Sequence, residues 1–219
     1  MAKNLLEWSK GFLMQIQVQA FGDTQTNCYI LRLEQGDLII DPGLGATSWV
    51  LEKSKNPLAI LITHGHYDHI WDAHALKKAW PSMPLYAPQA DIFMLTSDCF
   101  NLGLTPCKEE DIIGIECAKS SYSFEIATIP ITYWHFPGHT PGCCMIEVGG
   151  AFFSGDFIFY RSIGRYDFPF SDPKEMRASL LRFQDLQSED KPLYPGHGQP
   201  TSLKAEQPHM RAWIAHINP

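Results

Sequence analysis

From Thr63 the chain reads Thr-His-Gly-His-Tyr-Asp-His, which places three imidazoles and one carboxylate within residues 64–69. Imidazole nitrogens and carboxylate oxygens are the ligands that borderline divalent cations such as zinc take. On extended backbone His64 and His66, two apart, point to the same side. Asp68 and His69 follow at the turn and can address a second point a few ångströms away. A single metal takes about three or four protein ligands. Four candidates on one tight loop can therefore begin two adjacent sites, whereas a merely solvated polar loop would have no use for the spacing.

Three later turns carry the same chemistry. Phe136-Pro137-Gly138-His139-Thr140-Pro141-Gly142 holds a histidine at its tip, Ser154-Gly155-Asp156 ends a buried-looking strand on a carboxylate, and Pro195-Gly196-His197-Gly198 ends a short strand on a glycine-flanked histidine. Each is weak evidence alone. Together they offer one chemistry from separate places in the chain. An earlier turn, Asp41-Pro42-Gly43, leaves a further carboxylate at a strand end. His74, His135, His209 and His216 lack this setting and read as surface or packing histidines.

The elements that must position these groups follow from the apolar pattern. Residues 14–22, 26–34 and 37–40 read as strands joined by Gly- and Asp-containing turns. A helix is expected over 46–54. The apolar run 58–62 reads as a buried strand that delivers the histidine loop, and a single helix is expected over 68–80. A strand over 84–87 and a helix over 89–97 follow. Residues 98–122 read as an irregular excursion, either bordering a substrate pocket or forming a plain surface loop. Strand pattern returns over 123–136, 144–148 and 151–157. A helix over 173–186 has Asp172 as its N-cap before Pro173, and the last strand begins at Pro192. An early meander followed by strand–helix alternation indicates a mixed α/β fold.

The chain has 219 residues, 45% of them apolar and 19% charged, which suits one soluble domain with a sizeable core. The strand pattern starts at Met14, so residues 1–13 read as an N-terminal extension and 14–219 as a single domain. The net charge of −7 with no basic stripe counts against nucleic acid or an anionic membrane as partner. No apolar run reaches membrane-spanning length, and no secretory signal pattern is visible. A cytoplasmic protein is the expectation. The six cysteines contain no C-x-x-C pair, so free thiols are expected rather than a disulfide framework.

The ordered set H-x-H-x-D-H, P-G-H-T-P-G, S-G-D and P-G-H-G resembles the metallo-β-lactamase fold superfamily. It is most similar to the compact bacterial members of its glyoxalase II (hydroxyacylglutathione hydrolase) group. The resemblance spans roughly residues 14–219 and includes Asp41-Pro42-Gly43. It implies an αββα sandwich of two mixed sheets with the site at one edge. It also implies two metals, zinc first, with iron or manganese as alternatives. His64, His66 and His139 would hold one, and Asp68, His69 and His197 the other. Asp156 would bridge them, and Asp41 would orient the ligands.

Two cations sharing a water would generate hydroxide near neutral pH. Asp68 would double as the catalytic proton acceptor. The implied reaction is hydrolysis of a small-molecule thioester, possibly glutathione-linked as in S-lactoylglutathione. Arg165 falls where that group places a basic residue facing a glutathione carboxylate, and the neighbouring Asp167 falls where some members have tyrosine. Persulfide dioxygenases share the fold and a G-R-x-D-F run, matched here by Gly164-Arg165-Tyr166-Asp167-Phe168, but use one iron. That oxidoreductase, another metallo-hydrolase such as a lactonase, and a non-catalytic binding protein are the competing readings.

Overall fold

The computed structural model describes residues 4–7, 13–117 and 120–217. Its first sheet has seven strands in spatial order β1 to β7. These are β1 (Asn4–Glu7), β2 (Leu13–Phe21), β3 (Thr26–Arg32), β4 (Asp37–Ile40), β5 (Pro57–Leu61), β6 (Leu85–Pro88) and β7 (Ile112–Ile115). The first four pair antiparallel and the last four parallel. Helices α1 (Thr47–Lys53), α2 (Tyr67–Ile70), α3 (Ala73–Ala79) and α4 (Ile92–Leu95) lie in the connections around the parallel strands.

The second sheet is built from β8 (Ser121–Ile126), β9 (Ile129–His135), β10 (Cys144–Val148), β11 (Ala151–Gly155), β14 (Pro192–Pro195) and β15 (Thr201–Ser202). A two-stranded ribbon, β12 (Ile158–Phe159) with β13 (Ser162–Ile163), leaves its edge. Helices α5 (Pro173–Gln184), α6 (Leu203–Glu206) and α7 (Met210–His216) complete this half. No helix among the described residues is long and apolar enough to cross a membrane.

The alternation along β3 shows why the chain stacks in four layers. Tyr29 and Leu31 face the second sheet and pack with Ile131, Tyr133, Ile146 and Phe153. Cys28 and Ile30 face the other way and pack with Val50, Ile70, Leu76 and Met94 from the first helical layer. On the outer side of the second sheet, Phe152 and Leu193 meet Met176, Leu180 and Phe183 of α5 and Met210 of α7. A strand buried on both faces has no polar side, so β3 and β4 read as almost continuous apolar runs. This is the αββα sandwich implied by the resemblance.

Several expectations are corrected. The helix expected over 68–80 breaks after Ile70, because Asp72 N donates to the Pro42 carbonyl at 3.0 Å instead of to Asp68 four residues back, while the Asp72 carboxylate accepts from Thr47 N and Thr47 Oγ1, both at 2.7 Å. The helix expected over 89–97 is a turn of 3₁₀ helix followed by the four residues of α4. The 98–122 excursion is not wholly irregular, since Ile112–Ile115 adds the last parallel strand to the first sheet. Residues 123–136 hold two strands, folded into a hairpin at Ala127 and Thr128, both at positive φ. Part of the segment expected as an extension, Asn4–Glu7, pairs with β2; residues 1–3 and 8–12 of it lie outside the described residues. Helix α5 has the expected cap, with Asp172 Oδ1 accepting from Lys174 N and Glu175 N.

Phe153 joins the two sheets at the centre. It is 1% exposed, stacks on Tyr194 at 5.3 Å between centroids and meets Tyr29 edge-on at 5.2 Å. Truncating such a ring leaves a cavity that a two-sheet core cannot close. Phe153→Ala is expected to lower unfolding stability by about 3–5 kcal/mol in urea denaturation.

Candidate metal centre

The site forms where strand ends of both sheets meet. β5 runs out through Ile62-Thr63 into the His64–His69 loop, and β11 runs out into Asp156. β14 lies parallel beside β11 and delivers Gly196-His197 to the same edge. Backbone bonds lock the two sheets together there. Asn27 N donates to Gly196 O at 2.7 Å and Cys144 N to Thr63 O at 3.0 Å, while within the second sheet Gly196 N donates to Gly155 O at 2.8 Å. Gly196 must lack a side chain, because a Cβ there would stand 2.2 Å from Asp156 Oδ1 and 2.6 Å from His69 Cε1.

All seven residues expected as ligands converge. His64, His66 and His139 form one group of potential metal ligands, and Asp68, His69 and His197 form a second. Asp156 lies between them. Its Oδ1 is 3.1 Å from His69 Nε2, and its Oδ2 is 3.3 Å from His197 Nε2 and 3.5 Å from His139 Nε2. Asp68 Oδ2 stands 3.4 Å from His197 Nε2 and 3.6 Å from His69 Nε2. No cysteine joins a ligand group among the described residues, and all six are free thiols.

The outer nitrogens of three of the rings are committed elsewhere. His69 Nδ1 donates to Asp41 Oδ2 at 2.9 Å, His139 Nδ1 to the Arg165 carbonyl at 2.6 Å, and His197 Nδ1 to the Thr24 carbonyl at 3.0 Å. Such bonds fix ring orientation and leave Nε2 as the ligating atom. The result is a buried set of unanswered atoms. His64 Nε2, His66 Nε2, His69 Nε2 and Asp156 Oδ1 have no hydrogen-bond partner. His66 Nδ1 lies 2.7 Å from His139 Nε2 and donates to it, since the His139 proton is on its other nitrogen. Buried polar atoms without partners are costly, and a cation pair accepted by these nitrogens and carboxylates resolves the cost. The donor set fits two divalent ions of the zinc, iron or manganese type.

Asp41 braces this arrangement. It accepts from Thr63 N at 2.8 Å and Thr63 Oγ1 at 2.6 Å while it orients His69. It does so from a left-handed backbone, φ +50°, at the end of β4, a conformation that L residues other than Asn and Asp rarely hold.

Three further positioning residues escape a reading of the sequence. Thr26 Oγ1 donates to Asp68 Oδ2 at 2.6 Å. Thr63 Oγ1 lies 3.1 Å from His64 Nδ1. Asp91, fully buried behind the site, accepts from Gly65 N at 2.8 Å and from Thr140 Oγ1 and Gly142 N at 2.6 Å each, and so clamps the two histidine loops to one another. Thr63 and Thr140 sit beside ligands within motifs. Thr26 and Asp91 carry no local signal at all.

Electrostatics divides the groups. Burial keeps His64, His66 and His139 neutral, with His66 held down at about 3. Burial opposes the charge on His69 and His197 too, but the carboxylates around them prevail. His69 is pushed well up, chiefly by Asp156, and His197 is raised to about 10 by its hydrogen bonds to Asp156 and Asp68. Burial likewise raises the Asp68 and Asp156 carboxyls, yet His69 and His197 hold both below the usual carboxylate range.

Two outcomes follow for the metal-free protein. Its His197, raised to about 10, is protonated at pH 7, and a cation must displace that proton. Metal titration by calorimetry in buffers of different ionisation enthalpy is expected to show release of about one proton or more per chain. Asp41→Asn keeps a residue that tolerates the left-handed backbone but removes the charged acceptor behind His69. It is expected to weaken metal binding by about 10–100-fold in chelator competition.

The family model described as "Metallo-beta-lactamase superfamily" matches residues 21–197. The hydroxyacylglutathione hydrolase of Tolumonas auensis is 32% identical over 187 residues, covering 83% of this chain and 65% of that enzyme. Among solved structures, the BLEG-1 B3 metallo-beta-lactamase is 30% identical with a TM-score of 0.76, covering 89% of this chain and 97% of its own. TTHA1623, solved in a di-iron-bound form, is also 30% identical, with a TM-score of 0.72 and coverage of 93% and 98%. The matched segment runs from the end of β2 through His197 and takes in every turn that carries a candidate ligand, so this chain belongs to the metallo-β-lactamase superfamily.

Proposed function

We propose that this protein is a metal-dependent hydrolase acting on small-molecule thioesters, with S-lactoylglutathione as the reference substrate. One observation carries the reading: two groups of three potential ligands flank a shared carboxylate, Asp156, at the floor of an open pocket. The similarity to a hydroxyacylglutathione hydrolase supports the thioester class. We assign His64, His66 and His139 to one cation and Asp68, His69 and His197 to the other, with Asp156 between them. When bound, such a pair lowers the pKa of water and polarises a carbonyl oxygen. Zinc, iron and manganese all suit the donor set.

The chain's own groups do the rest. Asp68 lines the pocket as a carboxylate, and its Oδ2 is already engaged by Thr26 and faces His69 and His197. Its Oδ1 takes the proton of the attacking water and returns it to the sulfur as the C–S bond breaks. Thioester and water thus give carboxylic acid and thiol, and the acid then ionises. Asp41, Thr63 and Asp91 hold the ligand loops in place, so that no imidazole has to reorganise during the reaction.

Elemental analysis of protein purified without added metal tests the reading first. About two equivalents of zinc, iron or manganese, together with hydrolysis of S-lactoylglutathione, are expected. Close to one equivalent of iron, with oxygen uptake on glutathione persulfide, would replace the hydrolase by a dioxygenase. Asp68→Asn is expected to cut kcat by about 100-fold or more, the scale of a lost general base.

A further inference from the structure

The pocket above the metal centre has a volume of about 510 Å³, within the range that holds a sizeable organic ligand. Its floor is His66, Asp68, His139, Asp156 and His197. Its walls are Tyr67, Phe100, Phe159, Ile163, Phe168 and Pro169. Phe100 and Phe168 each stand 5.7 Å from the His66 ring, edge to face, so the aromatic wall begins directly beside the candidate ligands. It continues outward. Phe170 packs on Phe100 at 5.9 Å and on Phe93 at 5.1 Å, and both Phe93 and Phe170 are exposed.

The lining contains one arginine and no lysine. That arginine, Arg165, is already occupied. Its Nε and Nη2 donate to the two carboxylate oxygens of Asp167 at 2.8 Å each, and its guanidinium lies 4.1 Å above the Phe168 ring. The edge of the fork that would clasp a substrate carboxylate holds the chain's own carboxylate instead. A charged thiol would meet a neutralised pair, a bare aromatic wall and a chain of net charge −7. An apolar thiol would bury its surface against four aromatic side chains.

From this geometry we infer that the pocket selects thioesters of uncharged, apolar thiols, aryl or alkyl, over thioesters of glutathione. The inference rests on the hydrolase reading for its chemistry but not for its binding. Arg165 serves on this account as the lid of the aromatic wall through its stacking on Phe168.

A matched pair of substrates tests it. S-benzyl thioacetate and S-acetylglutathione share the acetyl group, which is too small to fill the pocket, so the thiol half decides between them. With metal-loaded protein, kcat/KM for the benzyl thioester is expected to exceed that for the glutathione thioester by roughly tenfold or more, the scale on which an apolar pocket discriminates. Phe168→Ala is expected to reduce the benzyl value about tenfold. Asp167→Ala, which frees the fork of Arg165, is expected to raise the glutathione value by about tenfold. Equal or reversed selectivity overturns the inference while leaving the hydrolase reading intact. If neither thioester is cleaved, equilibrium binding of two inert thioethers still decides the pocket, and the hydrolase reading falls only if S-lactoylglutathione is not cleaved either. Benzyl methyl sulfide binding about tenfold more tightly than S-methylglutathione upholds the inference; the reverse order, or equal affinity, overturns it.

Discussion

Four imidazoles and two carboxylates share one buried corner between two sheets, and that crowding is the constraint on which the rest of the structure depends. His64, His66, His69 and His139 are buried, and so are Asp68 and Asp156. Hydrogen bonds among them answer only part of the demand, because several ring nitrogens face inward without a donor or acceptor. Groups so placed would rotate away or draw in water unless something behind each held it. The surroundings supply that hold: Asp41 and Thr63 behind the first loop, the Arg165 and Thr24 carbonyls behind His139 and His197, and Thr26 behind Asp68.

The sandwich makes this bracing possible. Each sheet contributes strand ends to one edge, and the apolar layer between them keeps the edges at a fixed spacing. Asp91 is the clearest case of coupling. Its carboxylate spans the loop that follows β5 and the loop that follows β9, so two segments from different sheets share one anchor. Burial pushes that carboxyl up, and three donors oppose the shift. A neutral core residue there would leave Gly65 N and Gly142 N without partners and the two loops uncoupled.

Much of the centre was legible in the sequence, because metal ligands announce themselves by type and spacing. His64, His66, Asp68 and His69 lie within one loop, and the glycines around His139 and His197 marked turns whose tips could converge. The third and fourth strands were equally clear, since burial on both faces left no polar alternation to misread. The helix after the loop was less legible. Its amphipathic pattern continued through Asp72, but the Asp72 N–H found its acceptor in the Pro42 carbonyl, thirty positions away. Local periodicity cannot report such a long-range acceptor. Asp91 and Thr26 were invisible for the same reason. Their roles exist only once distant segments have packed, and no spacing rule connects Thr26 with Asp68. The strand at Ile112–Ile115 was hidden by an exposed isoleucine and a glycine, residues that fit an edge as well as a loop.

The position of β14 bears on the order in which the centre can be completed. This strand inserts beside β11 and leads into His197, while the Pro195 carbonyl at its end accepts from Asn27 Nδ2 and the Tyr29 hydroxyl of the early meander. The second ligand group is therefore open until this late segment docks. The first sheet and its helices bring only His64, His66, Asp68 and His69; His139 waits for the second sheet and His197 for β14. Completion of both candidate ligand groups is thus coupled to the docking of one late strand rather than to the formation of the loop that holds most of the candidate ligands.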